Sequence, residues 1–175
     1  MPQYDPTERL YTEHKNILAA IDTFQAFLQQ NGDHPDVLKT AIPEIIRFFR
    51  HYADKYHHAK EEAELFPMIT DSDNWVAADI TQEMIDQHTT FRGYAREVEA
   101  AYDAADYAQC VKILLKYTDQ LKDHIAVEDN ELFPMALDIF TEDDLEKLFF
   151  RFDDVDRAFG SEQAEELLGI AGRLG

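Results

Sequence analysis

Apolar positions recur along this chain at helical spacing. Leu10, Ile17, Ile21 and Leu28 share one face with His14, at intervals of three, four and seven residues. Asp5-Pro6-Thr7-Glu8 provides an N-cap and a proline at the first helical position, and Asn31-Gly32 provides a stop, predicting a helix to about Gln30. A second helix is predicted from about Asp36 to Phe66, with Ile45, Phe48, Phe49, Tyr52 and Tyr56 inward; Pro43 kinks it or sits in its first turns, and Pro67 closes it. A third runs from about Ala78 to Tyr102 and a fourth from about Tyr107 to Phe133, closed by Pro134. A last helical region, Thr141 to Leu174, opens on Thr141-Glu142-Asp143-Asp144 and breaks at Gly160. The pattern is all-α: one domain over 1–175, four long helices at about 7–135, and a tail at about 141–174.

The chain repeats itself once. HHAKEEAELFPM at 57–68 and HIAVEDNELFPM at 124–135 agree at eight of twelve positions. The copies end the second and fourth helices, so the chain reads as two similar helix pairs.

Composition narrows the partners. With 36 Asp plus Glu against 16 Lys plus Arg, the net charge of -20 repels phosphate backbones and anionic lipid, which excludes nucleic acid and membrane surfaces as partners. At 45% apolar residues, including 12 Phe and 8 Tyr, the chain is too greasy for a disordered acidic tail. No run reaches the roughly 18 apolar residues of a membrane helix, and Met-Pro-Gln-Tyr-Asp lacks the features of a signal peptide, so a soluble cytoplasmic protein is expected. Cys110 is the single cysteine, so any metal falls to histidine and carboxylate.

In each repeat a histidine precedes a glutamate by four residues, one turn apart on one helix face: His57 with Glu61, and His124 with Glu128. Each preceding helix carries a further histidine in its apolar stripe, His14 and His88. Four imidazoles and two carboxylates in an apolar interior require pairing or a bound cation. Imidazole and carboxylate without sulfur suit iron, manganese or zinc, and two glutamates able to bridge favour a dinuclear site.

His14, the HHxKEExxLFP stretch at 57–67, His88 and the HxxxExxxLFP stretch at 124–134 together resemble the hemerythrin-like, or HHE cation-binding, family. The resemblance spans about residues 7–135. It implies an antiparallel up-down four-helix bundle around two irons, with an oxo or hydroxo bridge; manganese and zinc rank after iron. It also implies that His14 and His57 bind one iron, His88 and His124 the other, and that Glu61 and Glu128 bridge them. Oxygen-carrying members have a further histidine one turn before the third-helix histidine, where this chain has Met84, and end the last motif with HxxxxD, where this chain has His124-x-x-x-Glu128. The implied site has two imidazoles per iron, both open. Met84 is then a weak ligand, or is replaced by water or a neighbouring Tyr or Glu.

That symmetry points to redox handling of dioxygen, hydrogen peroxide or nitric oxide. The alternatives are a sensing or binding module without turnover, or repair of iron centres; whether the chain turns over is left open. His58 stands about 100° from His57 on an ideal α-helix, so His58, and His51 on its face, are expected outside the ligand set. His34, in a Gly-Asp-His-Pro loop, is expected to be exposed. Glu62, Glu64, Asp129 and Glu131 read as a solvated face able to accept hydrogen bonds from ligating histidines. Gln87 stands where many relatives carry Glu. Tyr117 reads as core beside the pocket, and the apolar tail as packing across the bundle or making a homodimer contact.

Overall fold

The computed structural model describes residues 4–175, and the reading of the chain's start as no signal peptide falls partly on residues 1–3, outside that range. Helix α1 is Thr7–Asn31. Asp5 caps it, its Oδ1 accepting from the Thr7 backbone N–H at 3.0 Å and the Thr7 hydroxyl at 2.6 Å. Helix α2 begins at Pro35–Phe48, widens to π-helix over Phe49–His58 and Glu61–Leu65, and ends as α-helix over Phe66–Thr70. Helix α3 is Ala78–Asp103. Helix α4 follows the same plan as α2: Tyr107–Val127, a π turn over Glu128–Leu132, then Phe133–Ile139. Short links at 32–34, 71–77 and 104–106 make successive helices antiparallel neighbours. No helix among the described residues is long and apolar enough to cross a membrane.

Pro67 and Pro134 do not end their helices as their spacing predicts. A proline offers no N–H and crowds the carbonyl four residues back. Just ahead of each, the backbone N–H of Phe66 donates to the Glu61 carbonyl and that of Phe133 to the Glu128 carbonyl, five residues back. The wider turn gives the ring clearance, and the helix resumes. Pro43 is accommodated by a side chain. The Lys39 carbonyl, four residues before it, accepts from the Tyr102 hydroxyl at 2.8 Å.

The tail forms two helices, α5 (Glu142–Phe159) and α6 (Ser161–Leu174), joined at Gly160, whose φ of +89° is a conformation that only glycine adopts freely. Both pack onto the bundle. Leu167 and Ile170 of α6 join the core of Ile17, Phe24, Phe48, Phe49 and Leu114. Leu148 and Phe152 of α5 join a second core with Leu10, Leu65, Phe66, Met84, Leu132 and Phe133. Helix α5 starts on a capping box, in which the Thr141 hydroxyl accepts from the Asp144 N–H at 3.2 Å and the Asp144 carboxylate accepts from the Thr141 N–H at 3.1 Å. Thr141→Ala is expected to cost about 1 kcal/mol. That corresponds to a melting temperature lower by about 2–4 °C, with metal content unchanged; equal thermal melts would show the cap to be idle.

Candidate metal centre

The repeat becomes a two-fold arrangement in space. Helix α2 supplies His57, Glu61, Glu62 and Phe66; α4 supplies His124, Glu128, Asp129 and Phe133 at the equivalent positions. Helices α1 and α3 contribute Glu13-His14 and Gln87-His88. Phe66 lies flat on the ring of His88, with centroids 5.9 Å apart, and Phe133 lies flat on His14 at 5.4 Å. Each LFP tail thus walls a histidine of a different helix, an offset stack that contributes roughly 0.5–1.5 kcal/mol.

All six sequence-predicted residues, His14, His57, Glu61, His88, His124 and Glu128, are buried and converge. One group, His14, His57, Glu61 and Glu128, offers ligand atoms within 4.8 Å of one another, and so does a second, His58, Glu61, His88 and His124. Glu61 belongs to both. Its Oε1 lies 3.5 Å from His57 Nε2 and its Oε2 3.5 Å from His88 Nε2. Glu128 also spans the two sides, with Oε2 3.4 Å from His14 Nε2 and 3.2 Å from His124 Nε2, and Oε1 4.0 Å from His88 Nε2.

The outer nitrogens are fixed by acceptors. His14 Nδ1 donates to Asp129 Oδ1 at 2.6 Å, His57 Nδ1 to Glu13 Oε2 at 2.9 Å, His88 Nδ1 to Glu62 Oε1 at 2.8 Å and His124 Nδ1 to Gln87 Oε1 at 2.8 Å. With the proton on Nδ1, each Nε2 turns a lone pair inward. His88 Nε2 and His124 Nε2 are 3.0 Å apart, and two lone pairs cannot bond each other. His14 Nε2, His57 Nε2 and all four oxygens of Glu61 and Glu128 are buried without a hydrogen-bond partner. A buried cluster of imidazole nitrogens and carboxylate oxygens left unpaired is stable only around positive charge.

Protonation alone satisfies the cluster poorly. Burial opposes a charged His14, but its hydrogen bond to Asp129 and the nearby Glu128 carboxylate outweigh that and push it up to about 9. Burial and the neighbouring His14 push His57 down to about 4, and burial with His88 beside it holds His58 well below its ordinary value. Burial, with Glu128 next to it, raises Glu61 well above the carboxylate range. Burial opposes ionisation of Glu128 too, but His124 and His14 hold it well below that range. His57 and His58 are thus neutral imidazoles, the state that a metal takes up, whereas His14 would release its proton on binding.

His58 departs from its sequence-based expectation. Its ring is buried, stacked on His88 at 3.8 Å between centroids, and neither nitrogen has a hydrogen-bond partner; Asp54 Oδ1 is 3.7 Å from Nδ1, too far for one. The 100° offset assumes an α-helix. Here the Ala59 N–H donates to the Asp54 carbonyl five residues back, each residue turns the chain by less, and adjacent His57 and His58 both face inward. The two groups are therefore unequal, three imidazoles against two. Met84 packs in the apolar layer with Leu65, Phe66, Leu132 and Phe133. The repeat held a signal for His58: its counterpart Ile125 is a core residue, and an apolar counterpart marks an inward position.

Glu13 and Lys60 were also beyond the spacing argument, because the repeat pairs them with Gln87 and Val127. Glu62 and Asp129 accept from histidines as anticipated, and Gln87 does so with a neutral oxygen. His51 is half-buried and outside both groups, and His34 is exposed before α2. Tyr117 is core, its ring 4.5 Å from that of Phe49.

Helices wrapped around buried histidines and shared glutamates define a metal-binding bundle of the class with a carboxylate-linked histidine centre. The chain belongs to the hemerythrin family: the Hemerythrin HHE cation binding domain matches residues 5–136. No curated protein and no solved structure matches the chain. Helices α5 and α6 lie beyond the matched range.

Proposed function

We propose that this chain is a non-haem diiron protein that binds a small oxidant (dioxygen, hydrogen peroxide or nitric oxide) at a dinuclear centre. The supporting observation is the inward-facing set of imidazole nitrogens and carboxylate oxygens that are buried without hydrogen-bond partners. Imidazole and carboxylate without sulfur favour iron among redox metals. Iron held there would supply one-electron chemistry and a coordination position for the oxidant.

This chain's residues do the rest. His14 and His57, with Glu61 and Glu128, hold one metal; His58, His88 and His124, with the shared Glu61, hold the other. Each set has four residues but differs in kind, three imidazoles and one glutamate against two of each, so the two metals would be chemically inequivalent rather than the matched pair implied by the sequence. Glu13, Asp129, Glu62 and Gln87 hold the ring tautomers and make the imidazoles better donors. Phe66, Phe133 and Phe91 exclude water from the rings that they face, Phe91 standing edge-on to His124 at 5.2 Å.

Metal analysis after expression in iron-replete medium is expected to give about two irons per chain. Anaerobic reduction followed by air should restore near-ultraviolet charge-transfer absorption, and peroxide and nitric oxide titrations then identify the ligand. A chain that purifies without iron and does not take up Fe(II) anaerobically would defeat the proposal.

A further inference from the structure

Beyond the site itself, one buried cation stands out. Lys60 is fully buried. Its Nζ donates to Glu13 Oε1 at 2.5 Å, pairs closely with Asp156 Oδ1 and sits 3.8 Å above the ring of Tyr56. The other oxygen of Glu13, Oε2, accepts the Nδ1–H of His57 at 2.9 Å. Asp156 belongs to α5, where it also accepts from the Tyr56 hydroxyl at 2.8 Å and from Arg9 Nη1 at 2.6 Å. One continuous chain of contacts therefore runs from α5 through Lys60 and Glu13 to the back of His57.

On the His88 side Glu62 also accepts from Arg92 Nη2 at 2.7 Å, and Arg92 Nε donates to Asp54 Oδ1 at 2.8 Å, but that relay stays within α2 and α3. The acceptors of His14 and His88, Asp129 and Glu62, are about 27–30% exposed, whereas Glu13 is 7% exposed. His124 uses the neutral Gln87. Position 127, the counterpart of Lys60, is Val. Of these four histidines, His57 alone is tied to the tail, through a buried ammonium that α5 balances.

We infer that Lys60 and Asp156 are positioning residues for His57, and that α5 tunes the His14–His57 side of the centre through them. Asp156 takes a share of the Lys60 ammonium, which leaves Glu13 enough negative charge on Oε2 to hold the His57 proton strongly and keep that imidazole a good donor. Without Asp156 the ammonium falls to Glu13 alone, the Glu13–His57 bond weakens, and the imidazole donates less. The inference rests on the reading of His57 as a metal ligand.

The test compares Asp156→Asn and Lys60→Met with Arg151→Ala, which removes the exposed Arg151–Glu64 ion pair (3.2 Å) between α5 and α2 without touching the chain of contacts. Anaerobic Fe(II) affinity is measured for each by chelator competition, with the absorption spectrum of the oxidised protein, circular dichroism and thermal melts. For Asp156→Asn, native helicity is expected, with affinity for one of two Fe(II) equivalents weakened roughly tenfold and the charge-transfer band shifted. Lys60→Met is expected to alter the same equivalent, and Arg151→Ala neither affinity nor spectrum. Wild-type affinities and spectra in both Asp156→Asn and Lys60→Met overturn the inference, as does an Arg151→Ala effect as large as that of Asp156→Asn, which would reduce the tie to helix docking. Failure of the unmodified protein to take up Fe(II) instead overturns the metal reading, and the inference with it.

Discussion

His58→Ala is expected to remove one of two metals per chain and to leave the other. The substitution takes an imidazole from the group containing His88 and His124, which then keeps two imidazoles and Glu61. Loss of a direct ligand should weaken binding by more than the 10–100-fold typical of changes in the residues behind a ligand. The group of His14, His57, Glu61 and Glu128 contains no atom of His58 and should retain its metal. His58 also stacks on His88, so His88 loses a wall as well as a partner. Elemental analysis of the purified variant decides the matter. Two metals per chain would place His58 outside the ligand set, as its α-helical offset implies. His51→Ala is the internal comparison and should keep both metals, because His51 lies outside the two groups.

The second large effect is expected from Glu61→Gln, because Glu61 is common to both groups. Metal uptake should fall at both positions together. In the metal-free protein the same substitution should stabilise. Glu61 and Glu128 bring four carboxylate oxygens without hydrogen-bond partners into the cluster, and a glutamine amide adds two N–H groups there. Because burial beside Glu128 raises Glu61 in the folded state, its contribution to metal-free stability is fully present below about 4.5, the unfolded value, and is lost as pH rises through the folded value. The melting advantage of the metal-free variant over the metal-free wild type should therefore grow from pH 5 to pH 8. With metal the order reverses: wild type at about 100 times the dissociation constant gains about 2.7 kcal/mol, or roughly 5–10 °C, that the variant cannot gain. Parallel melts with and without Fe(II) test both parts, and an advantage that shrinks as pH rises would contradict the assigned cause.

Much of the bundle was legible in the chain because its signals are local. Stripes such as Leu10, His14, Ile17 and Ile21 need only helical periodicity to be read, and Thr141 with Asp144 announces a helix start by side-chain chemistry alone. The two LFP tails were read as helix ends, since a proline normally closes a helix. The π turns before Pro67 and Pro134 alter that outcome, and nothing in single-residue preference announces a turn whose hydrogen bonds skip one residue further.

The same wide turns account for what spacing missed at the site. Spacing on an ideal helix places His57, Glu61, His124 and Glu128 correctly because an interval of four survives modest changes of pitch. It misplaces His58 because a one-residue offset is the quantity that pitch controls. Glu13 and Lys60 were missed for another reason: their partners are 44 and 96 residues away along the chain, on α2 and α5.

The sequence by itself determined the helices, the repeat, the family and six converging histidines and glutamates, because each follows from periodicity or from residue types at short intervals. The tertiary structure alone decided the seventh member of the cluster, the inequality of the two groups and the tie from α5 to His57. Those depend on how far a helix is locally unwound and on which side chains meet across helices, and neither is a function of spacing along the chain.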